Sequence, residues 1–256
     1  MHEIDVSQPH AARVYDYLLG GKANYAVDRA LAERFLRDWP ELADLARANR
    51  AWMIRVVRTL ASQGIDRFLD IGSGLPTADN VHQVAQRIAR EARVLYVDND
   101  PVVLTHGRSL LAADERAEYV EAPAQDAATI LDRADAFLDR DRPVVVLMSA
   151  VLHYMPEPPA DIVAPYVRWM PPGSHLAISH VALEGHDPEL LARIREEYPQ
   201  QHVRPREEIE AAFAGLEMLE PGLVDAQRWR TGEDAPVGPQ PLLAGVARKL
   251  ATRRAP

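Results

Sequence analysis

FLDIGSGLP, Phe68 to Pro76, together with the YVDND that follows at Tyr96 to Asp100, decides how this chain folds. Phe68 to Ile71 is a short apolar run, as in a buried strand. Gly72 and Gly74 directly after it let the backbone turn tightly and lie close to a ligand. A helical segment separates this turn from a second apolar run, Arg93 to Val97, closed by Asp98. A carboxylate at the carboxyl edge of the second parallel strand can accept two hydrogen bonds from ribose hydroxyls. Strand, glycine turn, helix, strand and acid together describe a nucleoside-binding half-domain.

Outward from that pair the alternation continues. Strands are predicted at 67–71, 93–97, 117–121 and 143–149, with helices at 79–91, 101–113 and 126–138 between them. Right-handed crossovers turn such a series into a parallel sheet with helices on both faces. A helix at 160–169, the turn MPPG at Met170 to Gly173, and a strand at 175–182 come next. Helices at 188–197 and 206–214 lead to strands at 218–224 and 242–247, the last one inserted antiparallel. The expected fold class is α/β, a Rossmann-like, seven-stranded, mostly parallel sheet.

No strand pattern occurs before Asp66. Helices are predicted at 11–19, up to the Gly20-Gly21 pair, at 27–39, before Pro40, and at 41–63, up to Gly64. This gives a helical extension and lid at 1–64, a cofactor-binding core at 65–250 and a tail at 251–256. The proline- and glycine-rich Trp229 to Pro241 reads as a surface loop.

Composition narrows the function. The 256 residues suffice for one sizeable catalytic unit. With 29 basic and 38 acidic residues the net charge is −9, which repels a nucleic acid; the basic tail around Arg248, Lys249, Arg253 and Arg254 reads as a solvated end. Cysteine is absent, so disulfides, thiolate zinc sites and a cysteine nucleophile are excluded. MHEIDVSQPH lacks the regions of a signal peptide, and no apolar run approaches the ~18 residues of a membrane span. The expectation is a cytoplasmic enzyme acting on a small molecule, with no nucleic-acid or membrane partner and an oligomeric state that cannot be read.

Two cofactor classes use such a half-domain. A nicotinamide dinucleotide usually needs GxGxxG, whose third glycine lets the helix pack under the pyrophosphate, and here Thr77 stands at that position. S-adenosylmethionine has no pyrophosphate and ends in an ammonium, which Asp70 could hold while Gly72 and Gly74 make room for the methionine chain. Ser73 belongs to the same turn and Asn99 follows the ribose acid, so both join the candidates. Asp70 and Asp98 could instead act as helix caps. Asp100, with Pro101 after it, is read as a cap only.

Longer motifs add a resemblance. DIGSGLPTADNVHQVAQ (Asp70 to Gln86), VYDYLLGGKANYAVDR (Val14 to Arg29), ELADLARANRAW (Glu41 to Trp52), YVDNDPVVL (Tyr96 to Leu104), AVLHYMP (Ala150 to Pro156) and EPGLVDAQRWR (Glu220 to Arg230) are similar to an actinobacterial family of S-adenosylmethionine-dependent methyltransferases formerly filed as a domain of unknown function. The resemblance runs from about Ala12 to Ala247 and implies a class I methyltransferase fold and cofactor, but no substrate. Where the family usually carries an acid after the third strand, to recognise adenine, this chain has Pro123, which offers neither a polar side chain nor an N–H. Gln125, Asp126 or the Ala124 backbone would have to take over. A second departure is Ala23, where the family has an acid.

Methyl transfer needs a positioned nucleophile and, if that nucleophile is protonated, a base. The methyl should point to the end of the fourth strand, where Ser149, His153 and Tyr154 are candidates and His153 is the tentative base. No asparagine-proline-proline-aromatic motif of base or glutamine methyltransferases follows that strand. His180 and His186 have no established metal spacing, so no metal site is expected. Tyr15, Lys22, Asn24 and Tyr25 cluster about the glycine pair as a lid, and Arg50 or Arg47 could pair with the cofactor carboxylate. Trp39, Trp52, Tyr166 and Trp169 are read as core. The competing functions are a sensor that binds the cofactor without turnover and, less favoured, a nicotinamide oxidoreductase.

Overall fold

The computed structural model describes residues 6–77, 79–184, 186–231 and 241–251. Most of the predicted loop at Trp229 to Pro241, and nearly all of the tail, lie outside the described residues.

Three helices come first: α1 (Ala11–Leu18), α2 (Ala26–Asp38) and α3 (Leu42–Ser62). Gly20, at φ 79°, takes the chain out of α1. In α2 the Asp28 side chain accepts from the Tyr25 N–H at 2.8 Å, closing the first turn. Trp52, Val56, Val57 and Leu60 form one fully buried stripe of α3, which seats this helix against the sheet.

The sheet strands and their crossovers follow in order: β1 (Arg67–Ile71), α4 (Val81–Gln86), β2 (Arg93–Asp98), α5 (Pro101–Leu110), β3 (Ala117–Glu121), α6 (Ala127–Leu138), β4 (Val145–Ser149), α7 (Pro159–Trp169) and β5 (His175–Val181). Then come α8 (Pro188–Glu197), α9 (Arg206–Ala211), β6 (Glu217–Met218), β7 (Val224–Asp225) and β8 (Leu242–Arg248). The spatial order is β3-β2-β1-β4-β5-β8-β6, with β7 also on β8. β1 to β5 run parallel, and β8 is antiparallel to β5. Both faces of the central strands are covered, so β1, β4 and β5 are buried along almost their whole length. Strand order reverses between β1 and β4, and the crevice outside their carboxyl ends is where an open α/β sheet binds its ligand.

Three expectations change. The single strand at 218–224 is two short ones, so the sheet has eight strands. Met218 pairs with Ala247 and Val224 with Ala244, so the chain between them has more residues than its partner and loops out. Pro221 has no N–H for the ladder, and Gly222, at φ 88°, donates to the Leu219 carbonyl in a turn. The helix expected at 79–91 contracts to Val81–Gln86. Asn80 starts it by accepting from the Thr77 N–H at 3.0 Å while Gln83 reaches back to the Asn80 N–H at 2.9 Å. The helix ends expected at 113 and 214 retract to Leu110 and Ala211, into turns.

Candidate functional site

The glycine turn closes over the ends of β1 and β2. The Gly72 and Ser73 N–H groups both donate to the Val97 carbonyl, at 2.9 and 3.1 Å, folding the turn back on β2. Gly72 has φ 69°, and a Cβ there would stand 2.3 Å from the Val151 side chain, so both backbone angle and space require glycine. Gly74, at φ 66°, faces open space and donates its N–H to Asp98 Oδ2 at 2.8 Å. Asp98 Oδ1 accepts from the Asp100 N–H at 2.9 Å. Burial pushes the Asp98 carboxyl up and these two N–H groups pull against it, leaving it above its ordinary value.

Asp70, at the end of β1, is 3% exposed. Among the described residues it has no hydrogen-bond or ion-pair partner. Burial raises its pKa to about 7, with the more distant Arg50 charge lowering it and Asp98 raising it. Asp70, Gly72, Ser73, Gly74, Asp98 and Asn99 line one cleft of about 400 Å3, which extends to Ala122, Pro123, Ala124 and Gln125 after β3 and to Ser149 and Ala150 after β4.

The roof of the cleft is α1. His10 Nδ1 lies 3.0 Å from Asp100 Oδ2, and Arg13 Nε lies 3.4 Å from the same oxygen. Arg13 also reaches Asp28 at 3.8 Å, and Asp28 accepts from the His10 N–H at 2.9 Å. Asp100 meanwhile caps α5 through the Val102 N–H at 2.8 Å, the role expected of it. Burial pushes the Asp100 carboxyl up, but His10, the Val102 N–H and Arg13 outweigh it and hold it below its usual range. The attachment of α1 to Asp100 is absent from the sequence reading.

Asn49 on α3 joins the roof to β4 and β5. Its Nδ2 donates to Tyr15 Oη at 3.0 Å, and its Oδ1 accepts from the Ser149 and Ser179 hydroxyls at 3.2 and 2.6 Å. Tyr15 donates onward to the Ala46 carbonyl at 2.9 Å. The available trace of this hub is an amide on the apolar stripe between Leu45 and Trp52. Its neighbour Arg50 lines the cleft and donates to the Asp79 carbonyl at 3.0 Å, whereas Arg47 is exposed and pairs with Asp44.

Three residues expected to contact the cofactor do not line the cleft. Asp126 lies outside the cleft as the cap of α6, accepting from the Thr129 N–H at 3.2 Å, because its side chain follows the turn into that helix. Asn24 is spent inside its own loop, donating to Asp16 at 2.8 Å and to the Gly21 carbonyl at 3.1 Å and accepting from Arg29. Lys22 lines a separate pocket with Asp16, Thr77 and His106, which among the described residues shares Arg50 with the cleft. The Ala124 carbonyl accepts from Tyr166 at 2.6 Å, which leaves Gln125 as the polar side chain at the adenine end. His153 sits behind the cleft in an adjoining cavity; burial, then the neighbouring His180 and His202, push it well below its ordinary value. Trp39, Trp52, Tyr166 and Trp169 are buried. Among the described residues no cluster of three His, Asp or Glu side chains is suited to a metal, and no helix is long and apolar enough to cross a membrane.

A family model described as S-adenosyl methyltransferase matches residues 1–250. The crystal structure of a proposed methyltransferase from Thermobifida fusca is 42% identical, with TM-score 0.89 over 96% of this chain and 97% of that one. A DUF574 family protein from Streptomyces avermitilis is 39% identical, with TM-score 0.88 over 96% and 100%. An S-adenosylmethionine-dependent methyltransferase from Methanosarcina mazei, 16% identical with TM-score 0.52 over 73% and 94%, shares the fold. None of the curated proteins matches the chain.

Proposed function

We propose, from the premise that this chain belongs to the S-adenosyl methyltransferase family, that it transfers a methyl group to an oxygen or nitrogen of a small molecule held beneath α1. The cofactor is S-adenosylmethionine, and the residues present suit it. When bound, it supplies a methyl on a positively charged sulfur, open to in-line attack by a lone pair. Asp70, buried and without a partner, would hold the ammonium. Gly72, Ser73 and Gly74 would border the methionine chain, and Arg50 would face its carboxylate. Asp98 and Asn99 would take the ribose, and Gln125 with the 122–124 backbone would border adenine. Ser149 lines the same cleft near the reacting end.

The observation that carries this reading is Asp70. A buried carboxylate with no charge in contact, held at a pKa of about 7 in spite of the more distant Arg50, is unfavourable unless a ligand brings a closer counter-charge. His153, with its Nδ1 unpartnered, is the base in this reading, a weak one because burial holds its pKa down. Residues 1–64 would form the cap, 65–250 the core and 251–256 a tail. An acidic chain without a membrane-spanning helix among its described residues fits a cytoplasmic enzyme.

Calorimetry tests the cofactor site. S-adenosylmethionine and its demethylated product should bind, NAD should not, and Asp98→Ala should weaken both sulfur compounds about tenfold or more. Unchanged affinity in that variant would remove the ribose assignment. Incubating labelled cofactor with host extract separates an enzyme from a sensor: the former leaves label in a small molecule, the latter binds without transfer.

A further inference from the structure

In the proposed cofactor site adenine would lie after β3, ribose after β2 and the ammonium at the end of β1, which is the order of these strands across the sheet. The next strand is β4, so its end is what remains of the cleft for the methyl acceptor. Ser149 is the last residue of that strand and lines the cleft.

The neighbours of Ser149 set its hydrogen-bond polarity. Tyr15 has one hydroxyl proton, and its 2.9 Å bond to the Ala46 carbonyl, which only accepts, uses it. Tyr15 Oη therefore accepts from Asn49 at 3.0 Å, which puts the amide nitrogen toward Tyr15 and the amide oxygen toward β4 and β5. Ser179, at 2.6 Å, and Ser149, at 3.2 Å, both give their protons to that oxygen. Ser179 Oγ in turn accepts from the Ala150 N–H at 2.9 Å. Among the described residues none donates to Ser149 Oγ, so what this side chain has left to offer a ligand is a lone pair.

The backbone beyond Ser149 is strained. Ala150 has φ 53°, a left-handed conformation that favours glycine, and its N–H is held by both the carbonyl and the hydroxyl of Ser179, at 3.1 and 2.9 Å. Strain held in place in this way clusters at ligand sites. Of the charged side chains and histidines lining the cleft, Arg50, Asp70 and Asp98 are taken by the cofactor in the proposed site, and His10 by Asp100. An anionic acceptor would lose its water with no cation left to meet it, and its oxygens would face the lone pairs of Ser149.

We propose that Ser149 Oγ positions the methyl acceptor by accepting a hydrogen bond from its O–H or N–H, so that the acceptor is a neutral hydroxyl or amine and not a carboxylate. The proposal rests on the methyltransferase reading and deepens it. A lone pair on the same oxygen or nitrogen forms the bond to the methyl carbon, the carbon–sulfur bond breaks with its electron pair going to sulfur, and the released proton ends on water. Ser149, its own proton held by Asn49, is unchanged by the transfer.

The test incubates the full chain with S-adenosylmethionine labelled in its methyl group and a small-molecule filtrate of host extract, and treats the labelled product with mild alkali. The label should stay in place, on a methyl ether or an N-methyl group. Release as methanol, the mark of a methyl ester, or label on sulfur or carbon overturns the proposal and leaves the methyltransferase reading intact. In Ser149→Ala the transfer rate at saturating cofactor should fall about tenfold or more, while calorimetric affinity for S-adenosylmethionine stays within about twofold of the parent. Ser149→Thr, which keeps the oxygen, should recover most of that rate. An alanine variant as fast as the parent overturns the proposal, and so does one that loses as much cofactor affinity as rate, because Ser149 then serves the cofactor. If the alanine variant fails to fold, the alkali result in the parent chain decides alone. No transfer by a parent chain that binds S-adenosylmethionine overturns the enzyme reading, and this proposal with it.

Discussion

Asp70 sits with a pKa of about 7, so at neutral pH its carboxyl is half protonated. The unperturbed value is 3.8, so between these values the native state keeps a proton that the unfolded chain has lost, and stability falls as pH rises through that window. Above it the cost of the buried charge reaches up to about 4 kcal/mol. Asp70→Asn should therefore raise stability at pH 8 by up to that amount in denaturant melts, and weaken S-adenosylmethionine binding about tenfold or more. In the parent chain, affinity for the cofactor's ammonium should drop by up to about tenfold per unit as pH falls below 7, while the variant stays flat. A parent profile as flat as the variant's would remove Asp70 from the ammonium site. Asp70, Gly72, Gly74 and Asp98 were legible because each follows directly from its own strand end. The bonds of Asn49 were not, although the residue stands out beside Arg47 and Arg50, because its partners Ser149 and Ser179 arrive from strands far along the chain and nothing local announces them.

At the level of elements, α1 is tied down by charge as much as by packing. Asp28 is fully buried and Asp100 is 2% exposed, and Arg13 lies between them. Arg13→Ala leaves two buried carboxylates poorly compensated, a change of the kind that costs about 3–5 kcal/mol. Because the loss falls on α1, hydrogen exchange should quicken over Ala11–Leu18 while β1, β2, β4 and β5 keep their protection. Uniform acceleration across the sheet would show that α1 is no separate unit. The helix itself was legible from the run that stops at the glycine pair. Its anchor was not, because Asp100 satisfies a complete local explanation as the cap of α5 and nothing in the sequence shows that its second oxygen faces His10 and Arg13. The β6 and β7 split escaped for a similar reason: Met218 to Val224 is apolar enough for a strand, and only pairing with β8 shows where Pro221 and Gly222 break it.

Over the whole molecule the mostly parallel sheet with its last strand antiparallel was the most legible feature, since strands alternating with helices close by right-handed crossovers, whereas the order of the strands comes from the structure. In the proposed site the cofactor would meet both the sheet edge and the roof, so it should stabilise the chain as a unit. At about 100 times its Kd, S-adenosylmethionine should add about 2.7 kcal/mol to the unfolding free energy, read as a rise in Tm, and NAD at the same concentration should add nothing. An equal rise with NAD would contradict the cofactor assignment. The stretch from Asp98 to Asp100 has a further consequence. One end of this three-residue span faces the proposed ribose site, the other holds α1, and the Asp100 N–H joins them through Asp98 Oδ1. Coupling free energy is reciprocal, so whatever factor cofactor occupancy contributes to seating α1, a seated α1 returns to cofactor affinity. Departure of the spent cofactor would then loosen the first helix by that same factor, and a variant that frees the helix would release the cofactor more readily.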